Sequence, residues 1–321
     1  MTLRYVGWRL LQVVPTAAAI LLIGFLLIHL APGDPVLALA GESGNAEYYA
    51  FIRAKFGLDQ PLPQQLLTYT GRVLQADLGT SYLQGRPVAD IVAERIPATI
   101  LLSATALALS SIGGVLLGVY VAARPHGVRD TTVSSTVLAV YAAPVFWLGQ
   151  LAILLLALRT GWFPVQGMRS PGSNAGGLAA LLDIAHHLAL PAVVLASQEL
   201  AAVYRLTRAG LADELASDHV RTARAKGLSG RRVMLKHALR RPLVPVATVI
   251  GGRAGHVLSG AVVIEVVFGW PGLGRLLLNS LQSRDTPVVL GIFLVVAFAV
   301  VLANLATDFA YRWLDPRVRY R

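Results

Sequence analysis

A helix needs roughly 20 apolar residues to cross the ~30 Å hydrocarbon core of a bilayer. This chain carries six apolar runs, about 10–30, 98–122, 133–158, 188–204, 243–268 and 288–311. Lipid offers no water to backbone polar groups, so such runs must be helices whose hydrogen bonds close internally. The sequence therefore predicts an all-α polytopic membrane protein, with six transmembrane helices in a single unit, 1–321. Composition agrees, with 55% hydrophobic residues, 14% charged residues and a mean hydropathy of +0.61. The first run begins like a signal peptide, after basic residues. It is too long for one, and Ala31-Pro-Gly-Asp-Pro35 follows it in place of a small-residue cleavage site, so an uncleaved helix is expected.

Charge sets the orientation. Arg4 and Arg9 precede the first run, and Arg312, Arg317, Arg319 and Arg321 follow the last. The segment 205–242 carries ten of the 28 Lys and Arg residues against Asp213, Glu214 and Asp218, whereas 159–187 and 269–286 carry two each. Cytoplasmic loops gather Lys and Arg, which puts both termini and the basic segment in the cytoplasm and the loop 32–97 outside. Arg outnumbers Lys 25 to 3, a bias of GC-rich bacterial genomes, so the expected location is a bacterial plasma membrane. A net charge of +11 would suggest nucleic acid in a soluble protein. Here the charge borders apolar runs without aromatic interleaving, so lipid headgroups are the expected partner and nucleic acid is not.

Within the runs, Gly114-Val-Leu-Leu-Gly118 and Gly251-Gly-Arg-Ala-Gly255 are G-x-x-x-G patterns that let helix backbones approach. Pro15, Pro144 and Pro191 mark kinks or ends. The exterior loop 32–97 reads as a folded subdomain: a helix stopped at Gly57, a turn into Pro61, and a short amphipathic helix over 63–74.

No enzyme constellation is present. H-E-x-x-H, G-x-S-x-G and the phosphate-cradling G-x-x-x-x-G-K-[ST] are all missing, so this chain has no P-loop for ATP. There is no cysteine to ligate metal or form a disulfide. His186-His187 is a poor chelate because neighbours on a helix point about 100° apart, so no metal site is expected. Glu199, Arg253 and His256 lie inside runs, with Glu265 and Asp308 towards run ends. A mid-bilayer charge costs about 2.5–3.5 kcal/mol on insertion scales, so such groups face a bundle interior or a watery path. Glu199, Arg253 and His256 are candidates to line a translocation pathway; structural pairing, as of Glu199 with Arg253, weighs equally. Arg253 is a candidate to bind a substrate carboxylate, and the charge hints at an anionic or zwitterionic cargo.

The basic segment holds Asp218-His-Val-Arg-Thr-Ala-Arg-Ala-Lys-Gly227. Ser217 or Asp218 can cap a short helix that ends at Gly227, and Ser229 can cap a second ending before Pro242. A short exposed helix with a glycine break suits docking; topology and lipid attraction alone remain the alternative.

That motif, with His237-Ala-Leu-Arg and Pro245 behind it, resembles the cytoplasmic EAA loop of ABC importer permeases, and in particular the B-type subunit of the dipeptide, oligopeptide and nickel branch. The resemblance extends along the chain through Pro32-Gly-Asp-Pro35, Phe56-Gly-Leu-Asp-Gln-Pro61, Asp77-Leu-Gly-Thr-Ser81, Ala143-Pro-Val-Phe-Trp147, Trp270-Pro-Gly-Leu-Gly274 and Asp315-Pro-Arg-Val-Arg319. Ala76 departs from it, standing where the family usually has Gly, and Glu199 and Arg253 add charge where the family is mostly neutral.

The resemblance implies the type I ABC importer permease fold and a non-catalytic subunit forming half of a pore. It implies a second homologous permease subunit, two ATPase subunits that bind ATP and Mg, and an extracytoplasmic solute-binding protein. No cofactor is expected in this chain itself. Asp218, Arg221, Thr222, Ala223, Arg224, Lys226 and Gly227 would form the coupling helix against an ATPase, moved as a lever between pore states. The cargo classes it leaves open are dipeptide, oligopeptide, glutathione, haem and metal chelate. A secondary transporter or channel working without ATPases is the alternative, and a membrane-embedded enzyme the third; the inverted repeat expected of the former is not seen.

Overall fold

The computed structural model describes residues 3–30, 45–56, 59–123, 127–172, 176–254 and 261–314. Among these the chain is helical, and the β geometry present is an isolated antiparallel bridge between Thr80 and Pro87. Among the described residues three helices are long and apolar enough to cross a membrane: Val88–Ala122, Gly177–Leu215 and Thr286–Leu305. A bent pair covering 128–159 makes a fourth if taken as one span, and shorter apolar stretches lie at Leu11–Leu27 and Leu243–Arg253. Hydrophobic burial drives nothing within lipid, so polar ties and small-residue contacts specify how such helices pack.

Contacts divide the chain into two units, residues 1–97 with 276–305 and residues 98–275 with 306–321. The first unit holds α1 (Leu3–Leu30), α2 (Ala46–Phe56), α3 (Leu62–Leu74), the first turns of α4 (Val88–Ala122) and most of α13 (Thr286–Leu314). In it α1 packs on α3, where the Gly24 backbone faces Tyr69 closely: a Cβ there would lie 2.6 Å from the Tyr69 Oη. His29 adds a tie, 3.1 Å from the Gln65 Oε1. The motif 77–81 is a turn. Asp77 Oδ1 accepts the Gly79 N–H at 3.0 Å, and Gly79 has φ +84°. Buried Asp285 accepts from the Ser81 hydroxyl (2.5 Å) and the Tyr82 N–H (3.1 Å). Burial, and then the Asp285 carboxylate, push the Tyr82 phenol above its ordinary value.

The second unit holds the remainder of α4, then α5 (Val128–Ala142) and α6 (Val145–Ala152), which continues as the π-helical segment Ile153–Arg159. The third apolar run is therefore not a straight helix: α5 and the segment after it are bent by 103°. Pro144 supplies no N–H, and Ala143 before it is extended (ψ 140°), the conformation that a following proline favours. Gln198 Nε2 stands 3.4 Å from the carbonyl oxygens of Val140 and Ala143 at this break.

The fourth run lies in α7 (Gly177–Leu215), a 39-residue helix that continues eleven residues past Tyr204. Leu, Arg and Ala there favour helix although hydropathy has fallen. The pattern Gly114–Gly118 is where α4 and α7 meet. A Cβ at Gly114 would come within 2.7 Å of Val203, and one at Gly118 within 2.6 Å of Thr207. Nearby, Arg208 Nε and Nη2 donate to both oxygens of buried Asp130 at 2.6 and 2.7 Å, tying α7 to the start of α5.

After α7 come α8 (Asp218–Ala225), α9 (Gly230–Arg232) running into the π-helical segment Val233–Ala238, α10 (Leu243–Ala254), α11 (Val262–Val267) and α12 (Leu273–Gln282).

Candidate functional site

α8 is short, polar outward and apolar beneath. Val220 and Ala223, three residues apart, are buried against Ala122, Leu211, Val233 and Ala238. Fully burying a side chain such as valine contributes about 1.5–3 kcal/mol, which holds the helix to its base. Asp218, Arg221, Thr222, Arg224, Lys226 and Gly227 are exposed around the rest. Ala223, placed among the coupling candidates, faces inward and anchors the helix. The outer face carries Arg221, Arg224 and Lys226 against Asp218, which pairs with Arg221 at 3.4 Å.

The far end closes through backbone bonds. Gly227 N–H donates to Arg224 O (2.9 Å) and Leu228 N–H to Ala223 O (3.4 Å), with Gly227 at φ +75°. This 5→2 and 6→1 pair is the Schellman arrangement, and half-buried Leu228 packs under the helix as that motif requires. The near end differs from expectation. Ser217 stands at the cap position, yet its hydroxyl turns back to Glu214 O (2.5 Å) and makes no capping bond. Ser229, before α9, makes none either.

Glu214 does what the cap does not. Its Oε1 lies 3.0 Å from His219 Nε2 and 3.0 Å from Arg241 Nη1, joining the end of α7, the start of α8 and the end of the basic segment. In the sequence Glu214 stands only as an acid within a basic stretch. Its partners are five and 27 residues away, and only the His219 spacing was visible locally.

Of the pathway candidates, Glu199 on α7 and Arg253 on α10 are brought together as an ion pair, side chains 37% and 34% exposed. His256 lies outside the described residues, as do Gly57, Gly255, the motifs 32–35 and 315–319, and the side chain of Asp308. His186 and His187 both fall inside α7 and are engaged separately, His187 Nδ1 with Asp183 O (2.8 Å) and His186 Nε2 with Trp162 O (2.8 Å).

Glu265 is wholly buried and accepts from Thr99 Oγ1 (2.7 Å), Gly274 N–H (2.7 Å) and Arg275 N–H (3.1 Å). It thereby satisfies the opening turn of α12 from outside that helix. The motif 270–274 takes its residues from this knot. Trp270 Nε1–H donates to Ala98 O at 2.8 Å, and a Cβ on Gly272 would collide with the Glu265 carboxylate.

Known proteins are similar to this chain along its whole length. Residues 114–320 match the family of binding-protein-dependent transport system inner membrane components, and residues 2–103 match its N-terminal membrane component family. The chain is 38% identical to the dipeptide transport system permease protein DppB of Escherichia coli (strain K12), covering 99% of each. It is 37% identical to the oligopeptide transport system permease protein AppB of Bacillus subtilis (strain 168), over 98% of this chain and 99% of that one. With the glutathione transport system permease protein GsiC of Escherichia coli (strain K12) the identity is 36%, over 99% of this chain and all of the relative.

Proposed function

The chain belongs to the family of binding-protein-dependent transport system inner membrane components, non-catalytic permeases, and we propose that it is one permease subunit of an ATP-driven importer of small peptides. It forms half of a pore with a second homologous permease. Two ATPases that bind ATP and Mg drive it, and an extracytoplasmic solute-binding protein delivers cargo. The six apolar runs make six spans of the type I permease fold in a bacterial inner membrane. Both termini and the segment 205–242 face the cytoplasm, and 32–97 faces outside. Peptide cargo is inferred from the relatives, whose names specify dipeptide, oligopeptide and glutathione.

One observation supports the coupling role most: α8 has a buried apolar underside, a glycine-closed end and a cationic outer face. A helix so anchored transmits a push from its outer face as a rigid element, and its charge complements an acidic cleft. In this reading Asp218, Arg221, Thr222, Arg224 and Lys226 touch the ATPase, while Ala223 and Gly227 hold the helix in position.

The chain has no cysteine, so a single introduced thiol is unique. Arg224→Cys is expected to cross-link to an ATPase subunit in the assembled complex, while Arg169→Cys, far along the sequence on an exposed loop, is not. Gly227→Pro is expected to leave the complex assembled and ATP hydrolysed without uptake. Normal ATP-driven uptake by that variant would overturn the coupling role, and ATP-independent uptake by the unaltered protein would favour a secondary transporter or channel.

A further inference from the structure

Among the acid groups of the second unit that enter polar ties, three lie on or beside the apolar helices, Glu265, Asp130 and Glu199, and Glu199 is built unlike the other two. Glu265 is fully buried, with both oxygens taken by hydrogen bonds. Asp130 is buried, and its two oxygens take two guanidinium nitrogens of Arg208. Both carboxylates are sealed, as a desolvated charge in a structural tie must be, although Arg208 itself is 36% exposed, so the contrast lies in the acid. Glu199 and Arg253 also touch, through one carboxylate oxygen and Nη1, but a third of each side chain stays open. Among the described residues neither makes a hydrogen bond: the Glu199 Oε2 is buried without one, although the Arg253 guanidinium beside it carries five N–H donors.

Their setting makes this openness informative. Glu199 is the lone ionisable group between Leu188 and Arg205 apart from Tyr204, whose hydroxyl is engaged by Ser134 at 2.6 Å. Arg253 is the lone ionisable group of α10. Two opposite charges placed singly on apolar helices, in contact yet open, face a bundle interior or a watery path. Each can exchange its partner for a group on a ligand.

The geometry points to a two-point site for a zwitterion, with Arg253 taking a carboxylate and Glu199 an ammonium. It rests on the peptide-importer reading and names the ligand chemistry: a short peptide with both termini free. In the empty site each charge neutralises the other. A peptide replaces that contact by two ionic hydrogen bonds, so no charge stands uncompensated during the exchange. Because the ligand competes with the internal pair, it is held weakly, as a transit site requires.

Proteoliposomes containing this chain, its partner permease, the ATPases and the binding protein provide the test. The probes are dialanine, N-acetyl-dialanine and dialanine amide. The same binding protein feeds every variant, so a changed preference arises in this chain. Arg253→Gln is expected to lower dialanine uptake about tenfold, the loss of one charge-assisted hydrogen bond, and to erase its advantage over the amide. Glu199→Gln is expected to erase the advantage over the N-acetyl form. The exchanged pair, Glu199→Arg with Arg253→Glu, keeps the ion pair and so the melting temperature, but reverses the polarity; its dialanine uptake is expected to fall as far as the single variants. Wild-type uptake by the exchanged protein, or unchanged preferences in the single variants, would make the pair a strut and overturn the inference while leaving the importer reading intact. Dialanine uptake that ignores ATP in the unaltered complex would overturn both.

Discussion

The ends of α3 and α8 are closed by the same pair of backbone bonds, but with different residues at the critical position. At the end of α8, Gly227 N–H meets Arg224 O and Leu228 N–H meets Ala223 O. At the end of α3, Ala76 N–H meets Val73 O and Asp77 N–H meets Arg72 O, each at 3.0 Å. Both ends need a left-handed residue, at φ +75° for Gly227 and +60° for Ala76. Glycine adopts that conformation freely, whereas an L-residue with a Cβ is strained there by roughly 1–2 kcal/mol. The two helices also differ in their anchoring: α8 buries Val220 and Ala223, and α3 buries no residue. The unstrained end belongs to the helix that is tied down, and the strained end to one that rests on its neighbours lightly.

A helix end held from a distance sharpens that contrast and carries the largest expected effect. Gly274 and Arg275, in the first turn of α12, give their N–H groups to Glu265, which also takes the Thr99 hydroxyl. Glu265→Ala leaves the buried Gly274 N–H and Thr99 hydroxyl without their acceptor, and is expected to destabilise the protein by about 3–5 kcal/mol. A melting temperature in detergent within a degree of the unaltered protein would show that water replaces the carboxylate. Gly227→Pro comes next, at about 3 kcal/mol. Proline cannot reach φ +75° and has no N–H for Arg224 O, so the end of α8 should unwind and the Leu228 amide should exchange with solvent freely. Retained protection at Leu228 would mean that the motif does not hold the helix end.

These cases show which parts of the molecule could be read from sequence. The end of α8 was legible because its bonds span three and five residues, and the spacing of Val220 and Ala223 marks the buried face. Gly272 and Gly274 could be recognised as part of a motif but not explained, because what crowds them is Glu265 and Val262, folded back from earlier in the chain. Thr99 and Glu265 meet across 166 residues, and nothing local announces that bond. Pro144 announced a break in the third run but not its 103° angle. Hydropathy ended the fourth run at Tyr204, while the helix continues to Leu215 because propensity, not apolarity, sustains it. Glu214 was hidden for the same reason as Glu265: its partner Arg241 is brought to it by the fold.

Substituting the two left-handed positions in opposite directions tests the comparison directly. Gly227→Ala has open space for its methyl group, so backbone strain alone should act, destabilising by about 1 kcal/mol. Thermal melting of the purified protein checks this, and a larger loss would reveal a contact beyond the strain.

Ala76→Gly should do the reverse. Removing the Cβ relieves the left-handed strain at φ +60°, but glycine also gives the unfolded chain more freedom, which offsets part of the gain. The net stabilisation expected is about 0.5–1 kcal/mol. The resemblance to peptide permeases already marks this position as one where the family usually has Gly, and the dihedral angle supplies the physical reason. Because α3 buries no residue, global melting registers the gain only if this end unfolds with the rest of the first unit. Amide exchange at Ala76 and Asp77, whose N–H groups bond to Val73 O and Arg72 O, reads the local equilibrium directly. Slower exchange in the glycine variant supports the strain argument. Exchange that is unchanged or faster would mean that Ala76 is held at its angle by the turn that follows it, where Asp77 accepts the Gly79 N–H, and not by the closure of α3.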